Sequence, residues 1–157
     1  MPGDEIEERD GQLTINGWPV PRCELGEVGR PEAVTVFVEF LESRAYLVMH
    51  DEAPSSAGPW RVPAHELFVI GDNRSHSYDS RAWGDDNGAG VPQDHFVGRA
   101  VQVWWSTAPG GGASRFDRVG LDVTTPALPP GMQVLSSAFE DCLASRPSQD
   151  EATPPAP

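Results

Sequence analysis

Ala33-Val34-Thr35-Val36-Phe37-Val38-Glu39-Phe40-Leu41 is almost wholly β-branched or aromatic, and Ala45-Tyr46-Leu47-Val48-Met49 resumes the pattern three residues later. Such side chains lose rotamer freedom in a helix and pack well on a pleated surface. The two runs predict a hairpin turning at Glu42-Ser43-Arg44, and their nearly continuous apolar character predicts burial on both faces. A second hairpin is predicted where Asn16-Gly17 separates Gln12–Ile15 from Trp18–Val20, because both turn residues accept the positive φ of a type I′ turn. Pro19 puts the second limb at an edge or cuts it short. Asp10-Gly11 marks one more turn. Sixteen Gly and sixteen Pro in 157 residues keep the remaining strands short.

The rest of the chain follows from the same signals. Pro21 to Pro31 reads as a loop carrying Cys23, and Asp51 to Pro59 as another. Trp60-Arg61-Val62-Pro63 leads to an apolar run, Leu67-Phe68-Val69-Ile70, that reads as a strand. Asp85 to Gly90 reads as a flexible acidic excursion. Strands are predicted over His95–Trp105 and Arg115–Leu121, separated by a Gly-rich linker at 109–113. Apolar residues repeating at four, Val134, Ala138 and Cys142 beside Leu135, Phe139 and Leu143, predict an amphipathic helix over 132–145 that docks on its own sheet. From Arg146 to Pro157 the composition is that of a disordered tail. The expected architecture is all-β with one short C-terminal helix: a main unit at 1–121, a Pro-rich connection and helix at 122–145, and the tail at 146–157.

Charge narrows the partners. The net charge of −13 argues against a nucleic-acid backbone or an anionic lipid surface. All eleven basic residues are arginine; the sequence has no lysine. Cys23 and Cys142 fit no metal or redox spacing, and read either as two thiols or, in an oxidising compartment, as a disulfide. No run approaches the length of a membrane span and no signal peptide opens the chain.

Leu67–Ile70 feeds the densest polar segment of the sequence, Gly71-Asp72-Asn73-Arg74-Ser75-His76-Ser77-Tyr78-Asp79-Ser80-Arg81. Short polar side chains bond readily to nearby backbone, so a structured loop is expected. Asp72 with Arg74 and Asp79 with Arg81 stand two apart, a spacing that allows two planar ion pairs. Ser75, His76 and Asp79 carry the names of a catalytic triad, but triads converge from separate segments, and this one is rejected. Asp85-Asp86-Asn87 lacks the alternating oxygens and closing Glu of an EF-hand loop. The histidines at 50, 65, 76 and 95 show no paired ligand spacing, so neither a metal nor another cofactor is expected.

Gly71-Asp72-Asn73-Arg74-x-x-Ser77-x-Asp79-Ser80-Arg81 followed by Trp83-Gly84 closely resembles the last conserved box of bacterial type I signal peptidases. Val62-Pro63 before Phe68-Val69, Val91-Pro92, Val97-Gly98-Arg99-Ala100 and Arg115 to Gly120 resemble its flanking strands. Pro2-Gly3-Asp4, Asp10-Gly11, Ile15-Asn16-Gly17 and Pro19-Val20 resemble the segment just after the family's lysine box. The resemblance spans roughly residues 1–121, and it implies an incomplete barrel or sandwich of the signal-peptidase kind.

The resemblance also implies a function. The family removes signal peptides from exported proteins at the outer face of the plasma membrane, with a Ser nucleophile and a neutral Lys as base. Ser77 corresponds to the hydroxyl that orients the lysine. Asp79 and Arg81 correspond to a supporting ion pair, and Gly71 lets backbone approach the base. Asp72, Asn73, Arg74 and Ser80 complete the support. The expected nucleophile, lysine and membrane anchor all lie ahead of Met1 in this comparison, and a chain without lysine holds no Ser/Lys dyad. The expectation is therefore a carboxy-terminal portion, inactive by itself. The alternative is a non-catalytic module of the same fold that binds exported peptides or a partner.

Overall fold

The computed structural model describes residues 1–29, 33–51, 56–85, 87–108 and 111–157. Asp86 of the acidic excursion, residues 30–32 and 52–55 of the two expected loops, and 109–110 of the linker lie outside the described residues. Most of the strand residues lie in two antiparallel sheets. In the first, β1 (Glu5–Arg9), β2 (Gln12–Ile15), β3 (Trp18–Pro19) and β7 (Ala57–Arg61) lie in the order β3-β2-β1-β7. In the second, β4 (Arg22–Val28), β5 (Val34–Leu41) and β6 (Arg44–His50) lie in the order β4-β5-β6. A short pair joins β8 (Glu66–Leu67) to β9 (Val91–Pro92). None of these sheets closes on itself, and the fold is all-β with, among the described residues, a single short α-helix, α1 (Ser136–Ala144).

Both predicted hairpins form. Asn16 (φ 54°) and Gly17 (φ 74°) turn β2 into β3, with Ile15 opposite Trp18. Glu42 (φ 54°) turns β5 into β6, with Leu41 opposite Arg44. No side chain of β5 is exposed, and Val36, Val38, Glu39 and Phe40 are buried.

Each sheet has its own core. Ile6, Leu13, Ile15, Val20, Trp60 and Val62 form the first, with Phe68 and Ile70 packed against it. Leu25, Val36, Val38, Phe40 and Ala45 form the second together with Leu135, Cys142 and Ala152 from the C-terminal segment.

Several expectations are corrected. Residues 22–28 are a strand, not a loop: Cys23 and Leu25 alternate with Arg22 and Glu24, and a bulge between Glu24 and Gly26 resets the pattern before Val28. Residues 57–61 are likewise a strand. The run into the central loop is strand only at Glu66–Leu67; after that, Val69 bonds with Ser80 of the loop itself.

The expected strands at 95–105 and 115–121 are not regular strands. A 3-10 turn at Gln93–His95 runs into the first and another at Phe116–Arg118 interrupts the second. Among the described residues the two limbs meet at isolated bridges, Gln102 with Asp122 and Thr107 with Ser114, and at scattered backbone hydrogen bonds such as Val103 N–H to Leu121 O (2.9 Å) and Gly120 N–H to Val103 O (2.7 Å). Two limbs with no third strand beside them make a marginal sheet.

The excursion is held in place: Gly88 N–H donates to Trp83 O (3.0 Å), Ala89 N–H to Ser80 O (3.0 Å) and Gly90 N–H to Glu66 Oε2 (2.9 Å). The open cysteine alternative resolves as a disulfide between Cys23 on β4 and Cys142 on α1, with Cα atoms 6.2 Å apart. The tail is docked, not disordered. Ala152 is fully buried, and Glu42 N–H donates to its carbonyl at 2.5 Å. A small apolar side chain in an otherwise polar, Pro-rich segment carried too little pattern to predict this.

Candidate functional site

The central loop closes on itself and then fastens to both sheets. Ser80, with no exposed surface, accepts from Val69 N–H at Oγ (3.0 Å), while its own N–H donates to Val69 O (3.1 Å). The amides of His76 (3.3 Å) and Ser77 (2.9 Å) donate to Asn73 O, which forms the inner turn. Met49 on β6 straddles the loop: its N–H donates to Asp72 O (2.9 Å) and its carbonyl accepts from Arg74 N–H (2.9 Å).

Two arginines carry the electrostatics. Arg81 donates from Nε to Asp79 Oδ1 (2.9 Å), from Nη2 to Asp79 Oδ2 (2.9 Å) and from Nη1 to Glu8 Oε2 on β1 (3.1 Å). Its Nη2 also donates to Arg74 O at 2.7 Å. Arg74 donates from Nη1 to Glu39 Oε1 on β5 (3.1 Å), from Nη2 to Glu39 Oε2, and from Nε to Gly71 O (3.1 Å). Arg81 thus ties the loop to the first sheet, and Arg74 ties it to the second. Planar guanidinium forks satisfy buried carboxylates in this way without leaving lone pairs orphaned.

The expected Asp72–Arg74 ion pair is corrected accordingly. Asp72 accepts from Asn73 N–H (2.9 Å), and Arg74 takes the buried Glu39 as its partner.

Asp79 sits under two opposing influences. Burial pushes its carboxyl up, but the Arg81 guanidinium and the amides of Gly71 (2.8 Å) and Arg81 (3.1 Å) outweigh this and hold it below the usual carboxylate range. Arg81 responds in kind: burial lowers its pKa, and Asp79 and Glu8 more than reverse this. At the loop's outer edge His76 Nε2 meets Asp51 Oδ2 at 2.5 Å. Ser75 and His76 draw the Asp51 carboxyl below its usual value against a raising effect of burial.

A cavity of about 480 Å³ opens beside the loop, lined by Ser77, Arg74, Arg81 and Ala82 from the loop side and by Glu8, Trp60, Asn87 and the Ala57–Pro59 segment opposite. Its size is that of a small-ligand or side-chain site. Among the described residues Ser77 Oγ has no hydrogen-bond partner. A Cβ on Gly71 would collide with Ser77 Oγ and Cβ, so only glycine lets the backbone pass behind that hydroxyl. Of the eight candidate residues, Ser77, Arg74 and Arg81 reach the cavity. Gly71, Asp72, Asn73, Asp79 and Ser80 hold the loop behind it.

The model of the family described as "Signal peptidase, peptidase S26" matches residues 1–105. The chain belongs to the signal peptidase family. Signal peptidase I of Pseudomonas aeruginosa is 32% identical over 133 residues, covering 77% of this chain and 47% of that protein. Signal peptidase I of Pseudomonas fluorescens is 34% identical over 134 residues, covering 77% and 47%. The enzyme of Rickettsia typhi is 30% identical over 120 residues, covering 68% and 44%. The chain therefore spans about half the length of the curated signal peptidases it matches. No solved structure gives a match. Signal peptidase I is a membrane-associated serine-type peptidase family acting on signal peptides of exported proteins. Among the described residues no helix is long and apolar enough to cross a membrane.

Sequence reasoning missed Glu8, Glu39, Trp60 and Asn87. Two had a readable signal: Glu39 is the only charge inside an apolar run, and Glu8 shares a strand face with the buried Ile6. A buried acid in such a place needs a cation, and each finds an arginine of the loop.

Proposed function

We propose that this chain is the carboxy-terminal supporting half of a signal peptidase I, and that its cavity receives a lysine amine supplied by polypeptide outside these residues. The observation that carries the reading is Ser77, which lines the cavity and whose hydroxyl, packed against Gly71, has no hydrogen-bond partner among the described residues. A lysine acts as a general base only when neutral, and a fixed hydroxyl beside the amine directs its lone pair to the nucleophile. Gly71 leaves room behind that hydroxyl, and the Asp79–Arg81 pair, anchored on Glu8, keeps the loop from relaxing.

Two facts support assigning the base and the nucleophile to other residues. The 157 residues contain no lysine, and the curated relatives are about twice as long as the matched part. The substrates of this reading are signal peptides of exported preproteins, processed at the outer face of the plasma membrane. The 157-residue chain alone carries out no turnover.

The test is cleavage of a signal-peptide substrate. A polypeptide that joins this chain to a lysine-bearing signal-peptidase amino-terminal half cleaves it, and Ser77→Ala lowers kcat by about a hundredfold, the scale of a mispositioned reacting group. The chain alone leaves the substrate intact. Cleavage by the chain alone, or full activity of Ser77→Ala in the joined polypeptide, refutes the reading.

A further inference from the structure

The matched family model ends at residue 105, and the segment that closes the chain ties the two sheets together. It begins on the second sheet, where α1 is anchored by the Cys23–Cys142 disulfide and where Leu135 and Cys142 are buried. Beyond the helix, Ser148 and Glu151 form a local turn, with Ser148 Oγ donating to Glu151 Oε2 at 2.7 Å. Ala152 then plugs the same core beside the β5–β6 turn. The next residues leave that sheet. Pro155 O accepts from Asn16 Nδ2 at 2.7 Å, and Pro157 lies where a Cβ on Gly3 would meet it at 3.5 Å.

Asn16 is the junction. Its Oδ1 accepts from Glu5 N–H (2.8 Å), and its Nδ2 donates both to Asp4 Oδ1 (2.9 Å) and to Pro155 O. Three of the four hydrogen-bonding positions of the side-chain amide are therefore used, in a backbone conformation (φ 54°) that Asn tolerates and most residues do not. The turn it holds is short and tied to β7's exit: Gly3 N–H donates to Val62 O (2.9 Å), Asp4 O accepts from Val62 N–H (2.9 Å), and Asp4 itself is buried. Directly after that turn runs β1, which carries Glu8 to Arg81.

We propose that residues 152–157 form a positioning strap that, through Pro155 and Asn16, fixes the Pro2–Asp4 turn and the start of β1. Asn16 is its positioning residue. The strap's role in the reaction rests on the proposed function, in which the segment carrying the base leads into this turn. Prolines suit such a strap, because their fixed φ leaves little backbone freedom to lose on docking.

The test compares three variants of the chain with the parent: a stop after Thr153, Asn16→Gly, and both together. Asn16→Gly keeps the positive φ of the turn and removes only the amide. Amide hydrogen exchange is read at Gly3 and Glu5, with β5 and β6 as internal reference. Each single change raises exchange at Gly3 and Glu5 by about tenfold, the scale of one lost hydrogen bond, and leaves the reference amides alone. The double variant gains little over Asn16→Gly alone, because the strap acts through the amide that this variant already lacks. Unchanged exchange in the truncated chain, or fully additive effects, overturns the strap.

In the joined polypeptide that cleaves signal peptides, the truncation lowers kcat about tenfold with KM unchanged. Faster exchange with unaltered kcat overturns the strap's part in the reaction. No cleavage by the parent joined polypeptide refutes only the peptidase reading, since the exchange result stands without it.

Discussion

The central loop at 71–81 and the arm at 96–123 are both poor in regular structure, yet they solve opposite problems. The loop is polar and is fastened to two sheets; each buried charge is met by an opposite one, Asp79 and Glu8 by Arg81, and Glu39 by Arg74. The arm is apolar and faces outward. Val97 is fully exposed, Trp104 is 80% exposed and Phe116 is 71% exposed, and the Trp105–Phe116 edge contact (5.7 Å) is made within the arm itself. The difference teaches where the rigidity comes from. Ion pairs with fixed geometry hold irregular backbone firmly, whereas aromatic residues this exposed bury little surface and leave it thinly supported.

The comparison breaks most readily at Arg81. Arg81→Ala leaves Asp79 and Glu8 without their cation and should cost about 3–5 kcal/mol, read as a fall in the urea midpoint. A cost under about 1 kcal/mol would put the loop on a par with an exposed turn. Next comes Gly71→Ala, which overpacks the loop against Ser77 and should cost roughly 1–3 kcal/mol by the same measurement.

Acid acts through the same groups. The Asp79 carboxyl titrates lower in the fold than in the unfolded chain, so its stabilisation is complete above about pH 3.9 and disappears as the pH falls through its folded value. His50 is lowered first by burial and then by the Arg74 charge, so its neutral form belongs to the fold. Its contribution is complete above about pH 6.5 and declines below that value, as the unfolded chain takes up the proton first. Urea midpoints should therefore drop from pH 7 to 5 and drop further below 4. His50→Phe should flatten the first step; an unaltered slope would rule out His50.

The smallest effect is expected in the arm. Trp104→Ser with Phe116→Ser should shift stability by no more than about 0.5 kcal/mol, because neither side chain is buried. The pair should nonetheless sharply reduce binding of a hydrophobic dye, which responds to exposed apolar patches. A large loss of stability in this double variant would show that the arm is packed after all.

Much of this was legible in the sequence because local signals and tertiary demands agree. Asn16-Gly17 and the run from Val34 to Leu41 have a single comfortable structure each, and both adopt it. The polar box could be recognised as a structured loop, and its Asp79–Arg81 pair could be read from spacing. Its outward ties could not. Arg74 passes over Asp72, two residues away, for Glu39, which lies in another sheet; a local rule cannot weigh a buried acid contributed from a distance. Strand β4 was hidden by Gly26 and its bulge, and β7 by Gly58 and Pro59. The arm reads as strands because its residues favour them, but a strand needs a neighbour, and the described residues give these two limbs only each other.

The Cys23–Cys142 link closes a ring across 119 residues of sequence, and β5, β6, β7, the loop and the whole arm lie inside it. A protease entering at the exposed arm would therefore cut the ring without parting it. The nicked protein would gain only the mass of one water and migrate as one species until a reductant separated the halves.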